Sequence, residues 1–84
     1  MNQSKVYFCD LRARDGDNLL QKLERLIRRA GIGEIDFTKK MVAIKVHFGE
    51  PGNLSFLRPN YAKVVADVVK SLGGLPFPTD CNTL

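Results

Sequence analysis

The sequence is poor in cysteine and contains no long apolar run. Its two cysteines, Cys9 and Cys81, are too few for a disulfide scaffold and form no C-x-x-C pair. We therefore expect a reducing, cytoplasmic environment. No apolar run approaches the ~18 residues that span a membrane, and the N-terminus lacks the apolar core of a signal peptide. These absences argue against a disulfide-rich secreted domain and against a membrane partner.

The composition is that of an ordinary folded protein. The chain has 84 residues, of which 44% are hydrophobic and 26% are charged, and its formal net charge is +4. This length predicts one small domain over residues 1–84 with a modest core, since short chains bury a smaller fraction of their surface. Nothing in the composition indicates disorder or low complexity.

Two hydrophobic patterns alternate along the chain. Short apolar runs predict strands at residues 5–11, 41–48 and 75–79. Apolar residues at helical spacing predict helices over residues 18–30 and 60–72. The order β-α-β-α-β predicts an α/β fold with a three-stranded parallel sheet and two helices, in two or three layers. Both strand orders, 3-2-1 and 2-1-3, satisfy this pattern.

Several residues mark the ends of these elements. Asp15, Asp17 and Asn18 are candidate N-caps of the first helix, and Gly31 stands where a left-handed C-terminal residue is expected. Pro59 suits the first position of the second helix, with Asn60 as an alternative cap. Pro76 and Pro78 cannot donate backbone hydrogen bonds, so they predict that the third strand is short or lies at an edge.

A three-stranded parallel sheet would leave open edges. We therefore expect the chain to be part of a larger Rossmann-like domain and to be truncated at its C-terminus, after Leu84. The alternative is a self-contained domain that pairs its edges in a homodimer.

The carboxyl ends of parallel strands are where ligands bind in open sheets. Residues 49–58, after the second predicted strand, form the longest glycine-rich loop, and its N–H groups with the next helix end could hold a carboxylate or phosphate. The candidate ligand-binding residues at this edge are Lys45, His47, Glu50, Gly52, Asn53, Ser55, Arg58, Asp80 and Asn82. The loop matches no nucleotide-binding motif, so the alternative is a plain strand-to-helix connection.

Asp10 falls at the same predicted sheet edge and forms a second candidate site with two residues of this set. Asp10, His47 and Asp80 are candidate ligands of a metal ion or members of an acid–base site. The alternative is a structural histidine held by hydrogen bonds. The sequence assigns no catalytic residue, and it leaves open whether the protein is an enzyme.

The net positive charge is concentrated on the first predicted helix, where Lys22, Arg25, Arg28 and Arg29 are opposed only by Glu24. Such a face can bind nucleic-acid phosphates. However, the helix offers no aromatic side chain for stacking on bases, and Glu24 is placed to pair with Arg28. We therefore favour a solvated helix face and expect no nucleic-acid partner.

Three stretches, residues 4–10, 42–53 and 73–84, share features with a known family. The segments K-x-H-F-G-E-x-G-N and T-D-x-N-T-L are the most specific of these features. Together the stretches resemble the domain of unknown function 362 family over nearly the whole chain. Members of that family are typically longer, and many carry a cysteine-rich ferredoxin-like module after the matching part. The resemblance implies an N-terminal fragment of an iron–sulfur protein, with the 4Fe–4S cluster in the parent protein and none on this chain.

The family has no established activity, so the resemblance implies no reaction. Four positions depart from the pattern that we expect, Pro51, Leu54, Pro78 and Cys81. Together with the sheet topology, the resemblance predicts a module that binds a small anion or a metal at the carboxyl ends of its strands. The alternative is a non-catalytic scaffold that docks onto the remainder of its own polypeptide.

Overall fold

The structure, a computed structural model, describes residues 3–47, 49 and 51–80. It divides into two compact units, Met1–Ile35 and Asp36–Leu84. The elements in chain order are the helix α1 (Leu19–Arg29), a 3-10 turn (Ile32–Glu34), the strand β1 (Met41–Lys45), the helix α2 (Pro59–Ser71) and the strand β2 (Leu75–Thr79). The expectation of a single domain stays a prediction.

The helix α1 begins and ends where the sequence predicts. Asn18 Oδ1 accepts a hydrogen bond from the Gln21 backbone at 2.9 Å, and Gln21 Oε1 accepts one from the Asn18 backbone at 2.8 Å. This capping box satisfies backbone donors that the first turn cannot pair internally. Gly31 follows the helix with φ +104°, a conformation that disfavours any side chain with a Cβ.

The sheet consists of β1 and β2, which pair in parallel with Met41 opposite Leu75 and Lys45 opposite Thr79. The burial of β1 alternates, so Val42 and Ile44 face α2 while Met41, Ala43 and Lys45 are exposed on the other face. This confirms the second and third predicted strands, although β1 ends at Lys45 and the prediction extended to residue 48.

The helix α2 packs against both strands through its C-terminal half. Val68 and Val69 are each 1% exposed and are the only fully buried hydrophobic side chains of the described residues. Gly74 lies directly below them, where an added Cβ would come within 2.7 Å of Val69 Cγ1. Valine is a poor helix former, so this packing, rather than intrinsic propensity, stabilises α2. Pro59 occupies the first turn of α2, as predicted.

The predicted three-stranded, Rossmann-like sheet is wrong for the described residues. Residues 5–11 form no strand, and Val6, Phe8 and Leu11 are more than four-fifths exposed. The prediction needed this segment to be buried on both faces between neighbouring layers, and no strand pairs with it among the described residues. Strand order 2-1-3 is also excluded, because the second and third predicted strands are direct neighbours.

No helix within the described part of the chain is long and apolar enough to cross a membrane.

Candidate functional site

The carboxyl end of the sheet brings together three of the predicted residues. Lys45 Nζ lies 2.5 Å from Asp80 Oδ1, and His47 Nδ1 lies 3.7 Å from Asp80 Oδ2, which is beyond hydrogen-bond distance. The Asp80 side chain is 17% exposed, whereas those of Lys45 and His47 are about half exposed. Parallel pairing explains this convergence, since both strands end at the same edge. Because Asp80 balances the charge of Lys45, this cluster alone is a poor binding site for an anion.

The loop over residues 49–58 folds on itself through local contacts. Asn53 Oδ1 accepts a hydrogen bond from the Ser55 backbone at 2.9 Å, which closes a tight turn. Gly49, with φ +97°, lies so close to the Phe56 ring that an added Cβ would come within 2.7 Å of it. Gly52 is exposed, and no atom lies within 4 Å of the position that an added Cβ would take. The glycines therefore serve the path of the loop, as in the alternative interpretation of a strand-to-helix connection.

An apolar groove of about 260 Å³ lies between this loop, the sheet and the N-terminal half of α2. The groove is lined by Ile44, Val46, Phe56, Leu57, Pro59, Ala62, Lys63, Ala66 and Pro78. Among the described lining residues only Lys63 is charged, and its ammonium is 2.6 Å from Asp67. The predicted loop thus presents Phe56 and Leu57 to an apolar space at the carboxyl end of the sheet.

Arg58 stands at the start of α2, between two residues that line the groove, Leu57 and Pro59. Its backbone takes the N-cap position, no side chain caps the helix there, and the first turn has no acidic residue. The positive end of the helix dipole therefore lies at this end of the groove, and Arg58 adds a cationic residue at the N-cap position. Glu50 and Asn82, two other predicted ligand-binding residues, lie outside the described residues, as does Cys81.

The predicted metal set contains one residue from the first unit. Asp10 Oδ1 lies 2.7 Å from Lys22 Nζ, and the same ammonium donates to the backbone oxygens of Asp10 and Arg12, each at 2.8 Å. All three donors of the Lys22 ammonium are thus used on Asp10 and Arg12, around the end of the predicted strand over residues 5–11. Among residues 3–47, 49 and 51–80, no three His, Cys, Asp or Glu side chains are grouped to hold a metal ion.

Lys22 also changes the acidity of Asp10. The hydrogen bond from Lys22, followed by that from the Arg12 backbone, lowers the pKa of the Asp10 carboxyl. The stabilisation from this carboxylate is therefore present above its unfolded-state pKa of ~3.9 and is lost as the pH falls through the lower folded-state value.

We expect Lys22→Met to raise the pKa of Asp10 toward ~3.9, because the variant keeps an unbranched stem but loses the ammonium. A ¹³C NMR titration of the carboxyl carbons measures this change. Asp36 is the internal control: its pKa is lowered by hydrogen bonds to Thr38 and by Lys40, and it should titrate as before. An unchanged Asp10 titration in the variant would contradict the assignment.

The basic face of α1 is largely balanced by acidic neighbours. Arg25 pairs with Asp17 at 2.8 Å, and Arg28 pairs with Glu24 at 3.0 Å. Since Lys22 is bound to Asp10, three of its four basic residues have acidic partners. This arrangement supports a solvated helix face rather than a surface for phosphates.

The residues that the sequence analysis missed are those lining the groove from the helix side. Ala62 and Ala66 are four positions apart and lie on one face of α2. Two small residues at that spacing leave room for a groove beside Phe56 and Leu57 of the loop. The same pattern also occurs where helices pack closely.

Comparisons with known proteins give no relative from which to transfer a function. No protein-family model matches the chain, and neither the curated proteins nor the solved structures contain a significant match. The resemblance to the domain of unknown function 362 family therefore stays a prediction.

Proposed function

We propose that this protein binds a small organic anion at the carboxyl end of its sheet, with the apolar body of the ligand in the groove. The observation that carries this proposal is the apolar groove of about 260 Å³, which is walled by the loop predicted to bind a ligand. A groove of this size exceeds the ~150 Å³ cavity that holds benzene and is slightly smaller than the ~300 Å³ of typical drug-sized sites. We therefore infer a ligand with one or two rings or a short acyl chain.

The rim of the groove supports an anionic head group. Arg58 and the first turn of α2 supply positive charge beside Pro59, and no acidic residue occupies that turn. Lys45, by contrast, is paired with Asp80 on the other face of β1. We thus keep the predicted loop and Arg58 as ligand-binding residues. We propose that the apolar wall of the groove, rather than Lys45 and His47, supplies most of the affinity.

A matched pair of variants tests the proposal. Ala66→Phe places a ring in the groove, whereas Ala43→Phe places the same ring on the exposed face of β1. We expect 2-naphthoate and octanoate to shift the amide resonances of residues 54–66 in the wild type. Ala66→Phe should weaken binding at least tenfold, or about 1.4 kcal/mol, and Ala43→Phe should leave it unchanged.

Inorganic phosphate and naphthalene separate the contributions of charge and apolar surface. Both compounds should bind more weakly than 2-naphthoate, because phosphate has only the charge and naphthalene has only the apolar surface. If none of these probes shifts the groove resonances, or if the two alanine variants weaken binding equally, the proposal is wrong.

A second candidate is a docking module, and the exposed face of the sheet favours it. Met41, Leu75 and Phe77 are 76%, 59% and 40% exposed on the side away from α2. A partner such as the remainder of the polypeptide would cover this face. In the same NMR experiment, this candidate expects resonances of Met41, Leu75 and Phe77 to shift on addition of that partner and expects no response to the small probes.

The iron–sulfur assignment rests on the resemblance alone. A 4Fe–4S cluster needs four cysteine thiolates, and this chain has two cysteines, so its own residues do not fit a cluster. We propose that any cluster belongs to another part of a parent protein in the cytoplasm. No step of ligand binding here depends on it.

A further inference from the structure

The two edges of the sheet differ in their ability to accept another strand. Leu75 donates its backbone N–H to Lys40 at 2.8 Å, and Val46 donates to Thr79 at 2.9 Å. Carried through the parallel register, this alternation directs the N–H groups of Leu75, Phe77 and Thr79 toward β1. The nitrogens of Pro76 and Pro78 then point outward, where they have no hydrogen to donate.

The outer edge of β1 has the opposite character. The same alternation turns the N–H and C=O groups of Met41, Ala43 and Lys45 outward, and within the described residues no backbone group pairs with them. An unpaired row of this kind is a template for another strand. The molecule thus has one edge that can pair and one that is blocked by proline.

We propose that two copies of this chain associate through antiparallel pairing of their β1 strands, across a two-fold axis at Ala43. Because β2 cannot extend the sheet, association stops at two copies and gives a closed dimer with a four-stranded sheet. The proposal does not depend on ligand binding, since the groove lies on the face of the sheet that α2 covers.

Side-chain complementarity favours a second copy as the partner strand. With the axis at Ala43, Val42 lies beside Ile44 of the second copy on the face toward α2. On the other face, Met41 lies beside the aliphatic stem of Lys45 of the second copy, and no like charges are opposite each other. Moving the axis to Val42 would set Lys45 against Lys39 of the second copy, which is unfavourable.

The first experiment measures the molar mass of the full chain by light scattering from micromolar to millimolar concentration. We expect the mass to rise from 9.4 kDa to twice that value. Ala43→Pro removes the outward N–H and should remain a monomer across the range. Ala43→Thr, the matched control, keeps the N–H and should still form the dimer. A wild type that stays monomeric, or an Ala43→Pro variant that dimerises like the wild type, would overturn the proposal.

The second experiment opens the blocked edge. Pro76→Val combined with Pro78→Val supplies two outward N–H groups on β2, and it should convert the dimer into larger assemblies. A double variant that stops at two copies would refute the role of the prolines. If Ala43→Pro does not fold, hydrogen exchange of the wild-type Ala43 and Lys45 amides decides: protection that rises with concentration supports the dimer, and concentration-independent exchange refutes it.

Discussion

Replacing Gly74 with alanine is expected to lower the free energy of unfolding by about 1–3 kcal/mol, the usual effect of overpacking a well-filled core. The added Cβ would meet Val69 Cγ1 at 2.7 Å, Phe37 Cβ at 3.1 Å and Val42 Cγ2 at 3.2 Å. Val69 is 1% exposed, so it cannot move aside without disturbing the contact between α2 and the sheet. Urea unfolding measures the change, and an unaltered slope would show that only stability has changed.

Val69→Ala provides the test of that cause. Alone, it should destabilise the protein by about 1–3 kcal/mol, because it removes buried methyl groups and leaves a cavity. Combined with Gly74→Ala, it removes the closest clash. The double variant should therefore lose about 1 kcal/mol less free energy of unfolding than the sum of the two single losses. Strictly additive effects would show that the Gly74 position is not limited by Val69.

Gly49→Ala is expected to combine a loss of stability with a loss of ligand binding. The residue has φ +97°, where a side chain costs about 1–2 kcal/mol. Its Cβ would also meet the Phe56 ring at 2.7 Å and 2.9 Å, so the ring must move. Because Phe56 forms a wall of the groove, we expect the affinity for 2-naphthoate to fall about tenfold.

Gly52→Ala is the matched control for this variant. Gly52 has φ +85° in the same loop, but no atom lies within 4 Å of its expected Cβ. It should therefore show a similar loss of stability in urea unfolding and keep the affinity of the wild type. Equal losses of affinity in both variants would mean that the loop conformation, rather than the position of Phe56, controls binding.

The two helices and the strands β1 and β2 could be predicted because their signals are local, whereas the pairing of the strands could not, because both strand orders fit the pattern. The Asn18 cap, Gly31 and Pro59 each act within one turn of the helix that they delimit. The strand predicted at residues 5–11 was wrong. The segment is apolar on both faces, and this pattern indicates a buried strand only where neighbouring strands exist. In the structure this segment forms no strand, and Asp10 near its end is bound by Lys22, twelve positions further along the chain.

The candidate site could be predicted in part, because parallel strands end at the same edge of a sheet. Parallel pairing brings Lys45 and Asp80 together whatever the details of packing. The groove depends on how Ala62 and Ala66 of α2 face Ile44 and Phe56, which come from separate elements. No local pattern encodes that distance, and the groove therefore became visible only in three dimensions.

The connection between β1 and β2 also bears on the speed of folding. The two strands lie on either side of α2 in the sequence. The loop that contains α2 must therefore close before the first contact between the strands forms. The contacts of α1 are local and cost little closure entropy, and helices form within about a microsecond. We therefore expect the pairing of β2 with β1 to limit the folding rate of the second unit. The valine-rich helix α2 is stabilised only when it packs against this sheet.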